Sequence, residues 1–212
     1  MLGASSMRGD TIRLLPPVDP GGKSVYQALL ARRTTREFST TALTLQEISN
    51  ILWAAKGVNR ASTALGLPGL TAASASNSQE VDVYVALLAA VYLFDPLEAM
   101  LRLVVEGDHR MLALTPGQQH ERPLAPMHLI YVADINKLVH TKGYREPRLQ
   151  DPECQKGYYF VDTGLIAGNV YLYAASLGLA SWFHNCDPSL KNILQLGKNQ
   201  RVSFAQSVGH PA

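Results

Sequence analysis

With 212 residues, 47% hydrophobic and 17% charged, the chain has enough apolar material to bury a core and too much to remain disordered. A formal net charge of +2 creates no broad field that would draw in nucleic acid, so any basic site has to be local. No apolar run reaches the ~20 residues of a membrane span, MLGASSMRGD lacks the apolar segment of a secretory signal, and Cys154 and Cys186 are too few for a disulfide framework; a cytoplasmic chain with two free thiols is expected.

Residues 1–23 are small, rich in Pro and Gly and without periodicity, which predicts a tail, with one domain over 24–212. The run Gly21-Gly22-Lys23-Ser24 ends like a phosphate-binding P-loop. That motif needs glycine where Pro17 stands and a strand before it, so a turn into a capped helix is expected instead. Ser24 and Gln27 form a capping-box pattern ahead of SVYQALLARR, and Thr44 and Glu47 form another ahead of LQEISNILWAAK, which Gly57 stops. Residues 58–79, rich in Ala, Ser, Gly and Asn, predict a loop. VDVYVALL and VYLF read as strands, 97–106 as either strand or helix, and MHLIYVAD as a buried strand. The run from 158 to 177 is apolar around most of its circumference and predicts a buried helix. LASWF, PSLKNILQL and RVSFAQSV then read as strand, short helix and strand. Helices followed by strands without regular βαβ alternation predict an α+β fold.

Several familiar sites are missing. No glycine-rich dinucleotide fingerprint follows a strand, no nucleophile elbow occurs, and the histidines show no metal-ligand spacing. His184 and Cys186, two apart near a strand end, read as packing. Gly164 and Gly168, four apart, permit close helix packing, within the chain or against a second subunit.

Two polar clusters remain. Arg32, Arg33, Thr34, Thr35 and Arg36 crowd the end of a helix, where the charges repel one another. A solvated helix end explains arginine there as readily as a ligand does. A single phosphate, however, would accept bidentate guanidinium bonds and relieve the repulsion. In TAASASNSQE, Asn77 and Gln79 carry amides that both donate and accept, suited to the edge of a polar heterocycle, and the small residues 73–76 let backbone approach a flat ring. Together the clusters suggest a ligand with a phosphate at one end and a polar ring at the other.

In this order and spacing, ALLARRTTREF, LTLQEISNILWAAKGVNR, TAASASNSQEVDVYV, GLIAGNVYLYAASLGLAS and VSFAQSVGHP resemble the nitroreductase family of FMN-dependent oxidoreductases, over residues 24–211, nearest its short branch beside the SagB-type dehydrogenases. The resemblance implies an antiparallel-dominated sheet flanked by helices in an intertwined homodimer. It implies that Arg32, Arg33, Thr34 and Arg36 hold the FMN phosphate and pyrimidine edge. Ser74, Ser76, Asn77 and Gln79 match the loop that reaches the partner's flavin, and Phe183 and His184 match a segment beside the ring whose backbone N–H groups can face N5. Electrons would come from NADH or NADPH and pass, in ping-pong fashion, to a small acceptor such as a nitroaromatic or quinone. No separate acid–base residue is needed, because the flavin carries the chemistry. A SagB-type flavin oxidase and a non-catalytic flavin-binding module are the alternatives; neither nucleic acid nor membrane is an expected partner. Leu70-Thr71-Ala72-Ala73-Ser74 stands where relatives carry Arg-Thr-Ala-Pro-Ser, and the sequence stops at Ala212 without the basic C-terminal segment of longer members. The phosphate is therefore expected to rest on the arginines of residues 32–36.

Overall fold

The computed structural model describes residues 9–119, 124–142 and 147–212. In chain order the elements are β1 (Thr11–Arg13), α1 (Val25–Ala31), α2 (Leu45–Lys56), β2 (Val58–Arg60), β3 (Gly69–Leu70), β4 (Val81–Ala86), β5 (Ala90–Asp95), β6 (Met100–Glu106), α3 (Pro116–Gln119), β7 (Met127–Asp134), α4 (Ile135–Val139), α5 (Pro152–Leu177), β8 (Ala180–His184), α6 (Leu190–Ile193) and β9 (Gln200–Gly209). Seven strands form one sheet in the order β1-β6-β5-β4-β7-β9-β8, and every neighbouring pair is antiparallel. The fold is α+β, with helices against an antiparallel sheet.

Strand alternation divides the core in two. Val83, Val85, Leu129 and Tyr131 face Ile48, Ile51 and Leu52 of α2 and Ile166, Ala167 and Val170 of α5. Their neighbours Tyr84, Ala86, Ile130 and Val132 face the other way, against Leu190 and Leu194. Both capping boxes form. Gln27 N–H donates to Ser24 Oγ at 3.3 Å and Ser24 N–H to Gln27 Oε1 at 3.1 Å. At α2, Thr44 N–H donates to Glu47 Oε2 at 2.7 Å and Glu47 N–H to Thr44 Oγ1 at 3.2 Å.

Two expectations need correction, and one open alternative is resolved. Within the expected tail, residues 11–18 are tied to the fold. β1 pairs with β6, Leu14 is buried, Leu15 N–H donates to Ser49 Oγ, and Val18 exchanges two hydrogen bonds with Asn50. The ambiguous stretch 97–106 is a turn and then β6, closing a hairpin with β5. The helix read as 158–177 starts earlier, at Pro152, capped by Asp151, and ends on Gly178 at φ 74°. It is not buried all round, since Val161 and Leu165 on its outer side are exposed. Nor do Gly164 and Gly168 pack against other described residues: a side chain built at either would meet none of them within 4 Å.

Candidate functional site

α1 ends at Ala31, and the chain then runs in extended form past the free edge of β8, the last strand of the sheet. Thr35 N–H donates to Ser181 C=O at 2.9 Å and Ser39 N–H to His210 C=O at 2.9 Å. This route sets the arginines against two aromatic faces. The Arg32 guanidinium lies 5.5 Å from the Tyr171 ring centre, and that of Arg36 lies 5.6 Å from a Trp182 ring. Such contacts hold a guanidinium in place while leaving its N–H donors free for an anion. Among the described residues, no carboxylate forms an ion pair with Arg32, Arg33 or Arg36. Beside them opens a cleft of about 390 Å³, lined among others by Lys23, Arg32, Arg33, Thr35, Tyr171 and Ser181.

Tyr171 joins this cluster to the strand edge. Its hydroxyl accepts the Phe183 N–H at 2.8 Å and lies 3.1 Å from Thr34 Oγ1. With its lone pair engaged by Phe183, the phenol is placed to donate to Thr34. The Phe183 amide, expected to face a flavin ring, is therefore already bonded to Tyr171. The Phe183 side chain stacks on Phe204 at 4.8 Å. One residue on, the His184 side chain points the other way and is buried. Its Nε2 lies 2.8 Å from Ser207 Oγ, which lies 2.9 Å from His128 Nδ1. Burial pushes His184 down to about 4 and His128 to about 3, the latter helped by the neighbouring His184. Both are neutral core histidines, and His184 can meet a ligand only through its backbone.

The second cluster sits elsewhere. Ser76, Asn77 and Gln79 adopt φ values of 49°, 55° and 54°, a conformation that costs a non-glycine residue of the order of 1 kcal/mol or more and that clusters at ligand sites. The amides expected to read a heterocycle are turned inward. Asn77 Nδ2 and Gln79 Nε2 both donate to Pro68 C=O, at 3.2 and 2.8 Å, and Gln79 Nε2 also donates to Asn77 Oδ1 at 3.1 Å. Ser74 Oγ closes the loop by accepting Gln79 N–H at 3.0 Å.

Within one chain the clusters diverge. Asp162 of α5 holds the Ala75 N–H at 2.9 Å, whereas the arginines meet α5 at Tyr171. Nine helical residues separate these two, about 14 Å along the axis and roughly half a turn around it. Arg32, Arg36, Thr34, Phe183 and the His184 backbone thus share one region, and Ser74, Ser76, Asn77 and Gln79 another. The sequence reading missed Tyr171, Trp182 and Lys23. The signal available was a tyrosine inside an apolar helix, whose hydroxyl must find a partner when it packs. Cys186 is no nucleophile, because burial pushes its thiol up to about 11.

Comparison with known proteins fits this architecture. A profile of the nitroreductase family matches residues 29–210. The chain is 31% identical over 179 residues to the "putative nitroreductase MJ1384" of Methanocaldococcus jannaschii, covering 82% of this chain and 83% of that protein. A "putative nitroreductase" crystal structure from Ralstonia eutropha superposes with a TM-score of 0.82 at 29% identity, over 96% of this chain and 90% of that one. A "putative nitroreductase in complex with FMN" from Desulfovibrio desulfuricans has a TM-score of 0.60 at 19% identity, over 90% and 87%; at that identity the likeness speaks for the fold alone.

Proposed function

This chain belongs to the nitroreductase family, and from that premise we propose that it is an FMN-dependent oxidoreductase working as a homodimer, fed by NADH or NADPH and passing electrons to nitroaromatic or quinone-like acceptors. The observation that carries the reading is the set of three guanidiniums at the end of α1, none paired with a described carboxylate and two steadied on aromatic faces. Clustered cations left without a counter-ion are poised for a multiply charged anion such as the FMN phosphate.

FMN held there would supply the redox chemistry, hydride acceptance from a nicotinamide and electron transfer to the acceptor. The chain's own residues bind and orient. Arg32 and Arg36 hold the phosphate or the negative edge of the ring, with Arg33 and Thr34 adding donors. Tyr171 fixes Thr34 against the β8 edge, so that the donors keep their geometry between turnovers. The charges of Arg32 and Arg36, already in place, would favour negative charge on a bound flavin without reorganisation. Among the described residues no acid–base pair lines the arginine cleft, and none is required for hydride transfer. One site serving donor and acceptor in turn implies ping-pong kinetics, and an acceptor held by stacking implies loose selectivity.

The homodimer is supported by the divergence of the two clusters. The Ser74–Gln79 loop lies on the far side of α5 from the arginines of its own chain, so a partner's arginine cleft is the place where it can complete a site. Gly157, Gly164 and Gly168 fall on one side of α5, where a side chain would meet no described residue beyond the helix itself within 4 Å, next to the exposed Val161 and Leu165. On α1, Tyr26 and Leu30 are 71% and 72% exposed. Apolar and small residues open to water over this much surface mark a contact face.

The reading is tested by FMN titration. Losing one charge-assisted partner costs roughly 1.5–3 kcal/mol, so Arg32→Ala should weaken FMN about ten- to a hundred-fold. Unchanged affinity in a folded Arg32→Ala protein would remove the phosphate assignment.

A further inference from the structure

Beneath the Ser74–Gln79 loop lies a group of buried charges that the proposed chemistry does not use. Glu80 is fully buried, Asp162 is 4% exposed and Lys56 5%. Each holds a different point of the loop. Asp162 Oδ2 accepts the Ala75 N–H at 2.9 Å, Glu80 Oε2 accepts the Ser78 hydroxyl at 2.5 Å, and Lys56 Nζ donates to Gln79 C=O at 3.0 Å and to Val81 C=O.

The other oxygen of Glu80, Oε1, is buried without any N–H or O–H donor among the described residues. Asp162 and Glu80 line the same small cavity under the loop, with Lys56 and Gln79, and the Glu80 carboxyl acts on Asp162 both as a charge and as a hydrogen-bonding neighbour. Two ionised carboxylates are both acceptors and repel, so they can bond to each other only when one carries a proton. The charge balance agrees. Lys56 from α2 lies between Glu80 and Asp82 of β4, and Lys137 from α4 is held to Asp82 at 2.6 Å. Two ammonium groups against Asp82 and a singly ionised carboxyl pair are neutral together, whereas a doubly ionised pair leaves a net negative charge in the interior, which is costly.

We propose that Asp162 and Glu80 share one proton and that this proton makes them positioning residues, latching the Ser74–Gln79 loop against α5. The proton is retained near neutral pH because burial, and then the charge of Glu80, raise Asp162 to about 7. The sign follows from that direction. The latched loop binds the proton more tightly than a released loop would, so the proton's contribution to latching is full below the ordinary carboxylate value near 4, declines as pH rises, and is gone once pH passes about 7. The released loop would also shed the left-handed conformations of Ser76, Asn77 and Gln79, which lowers the cost of opening. That this loop touches flavin rests on the function proposed above; that it is latched by a proton does not.

The test measures amide hydrogen exchange of the segment around Ala75 in the flavin-free protein, corrected for intrinsic exchange, on both sides of neutral pH. Protection of the wild-type loop should fall by up to about ten-fold per pH unit between the ordinary carboxylate value near 4 and about 7, and level off above 7, where neither state holds the proton. Glu80→Gln supplies a permanent amide donor to Asp162, and Asp162→Asn supplies one to Glu80; in each the profile should be flat across this range. A wild-type profile with no inflection near 7 overturns the latch. So does an inflection kept in both variants, which would assign it to Lys56, whose burial brings it down to about 8. FMN affinity measured over the same range should weaken in step with the loop. Exchange that follows the pair while FMN affinity ignores pH supports the latch and removes the loop from the flavin site.

Discussion

At the scale of single residues, the Tyr171 hydroxyl ties the arginine segment to the sheet, touching Thr34 on one side and the Phe183 N–H on the other. The arginines stood out because like charges rarely crowd without a reason, and the structure indeed leaves them without carboxylate partners. Tyr171 did not stand out, because its role depends on Thr34 and Phe183, brought to it by the fold. The shared proton of Asp162 and Glu80 was hidden for the same reason: the two are 82 positions apart. An acid inside the apolar run YYFVDTGLIAG was the one available hint. His184 is matched to the flavin through its backbone alone and its side chain reads as packing, and its ring completes a buried chain through Ser207 to His128. That placement has a consequence for stability. A neutral histidine depressed to about 4 contributes stability that is present above the unfolded value near 6.5 and is lost as pH falls toward the folded one. Between pH 7 and pH 5, wild type should therefore lose about 2 kcal/mol more than His184→Gln in urea unfolding. The raised Asp162 works in the opposite sense but equally in both proteins, so the comparison cancels it. A difference that stays constant with pH would show that His184 titrates normally.

Among the elements, those with local signals were legible and those built by long-range pairing were not. α1 and α2 carry capping boxes, and both formed at the expected residues. Thr44→Ala removes the acceptor for Glu47 N–H and should cost about 1 kcal/mol, read as a lower urea midpoint with unchanged slope. An unaltered midpoint would mean that the cap is not needed to start α2. The stretch 97–106 was undecided because its apolar residues fit either period; pairing with β5 and β1 decides it. Residues 11–18 lack any periodicity, and only the open edge of β6 and the side chains Ser49 and Asn50 give them a place. α5 reads as apolar all round because it has two apolar sides, one packed on the sheet and one facing outward.

For the whole molecule, the outward side of α5 is the feature that a single chain leaves unexplained. If it is a subunit interface, Val161→Glu, which puts a charge among the exposed apolar residues, should shift the protein from dimer to monomer in sedimentation velocity and weaken FMN binding at the same time. A wild-type protein that sediments as a monomer while holding FMN would break the link between interface and site. The family and the α+β fold could be read from ordered motifs, because each motif is local. The arrangement of the two clusters could not, since it depends on the direction in which α5 carries Asp162 and Tyr171.

The central claim is that this chain uses bound FMN to move electrons from a nicotinamide to a second substrate at one site. Anaerobic rapid mixing of the FMN-loaded protein with NADH or NADPH tests it most directly. The flavin absorbance band should bleach in a single phase and recover when a nitroaromatic or quinone is added after the nicotinamide has been consumed. A band that neither nicotinamide bleaches would contradict the account, leaving a flavin protein that takes its electrons from another donor or from none.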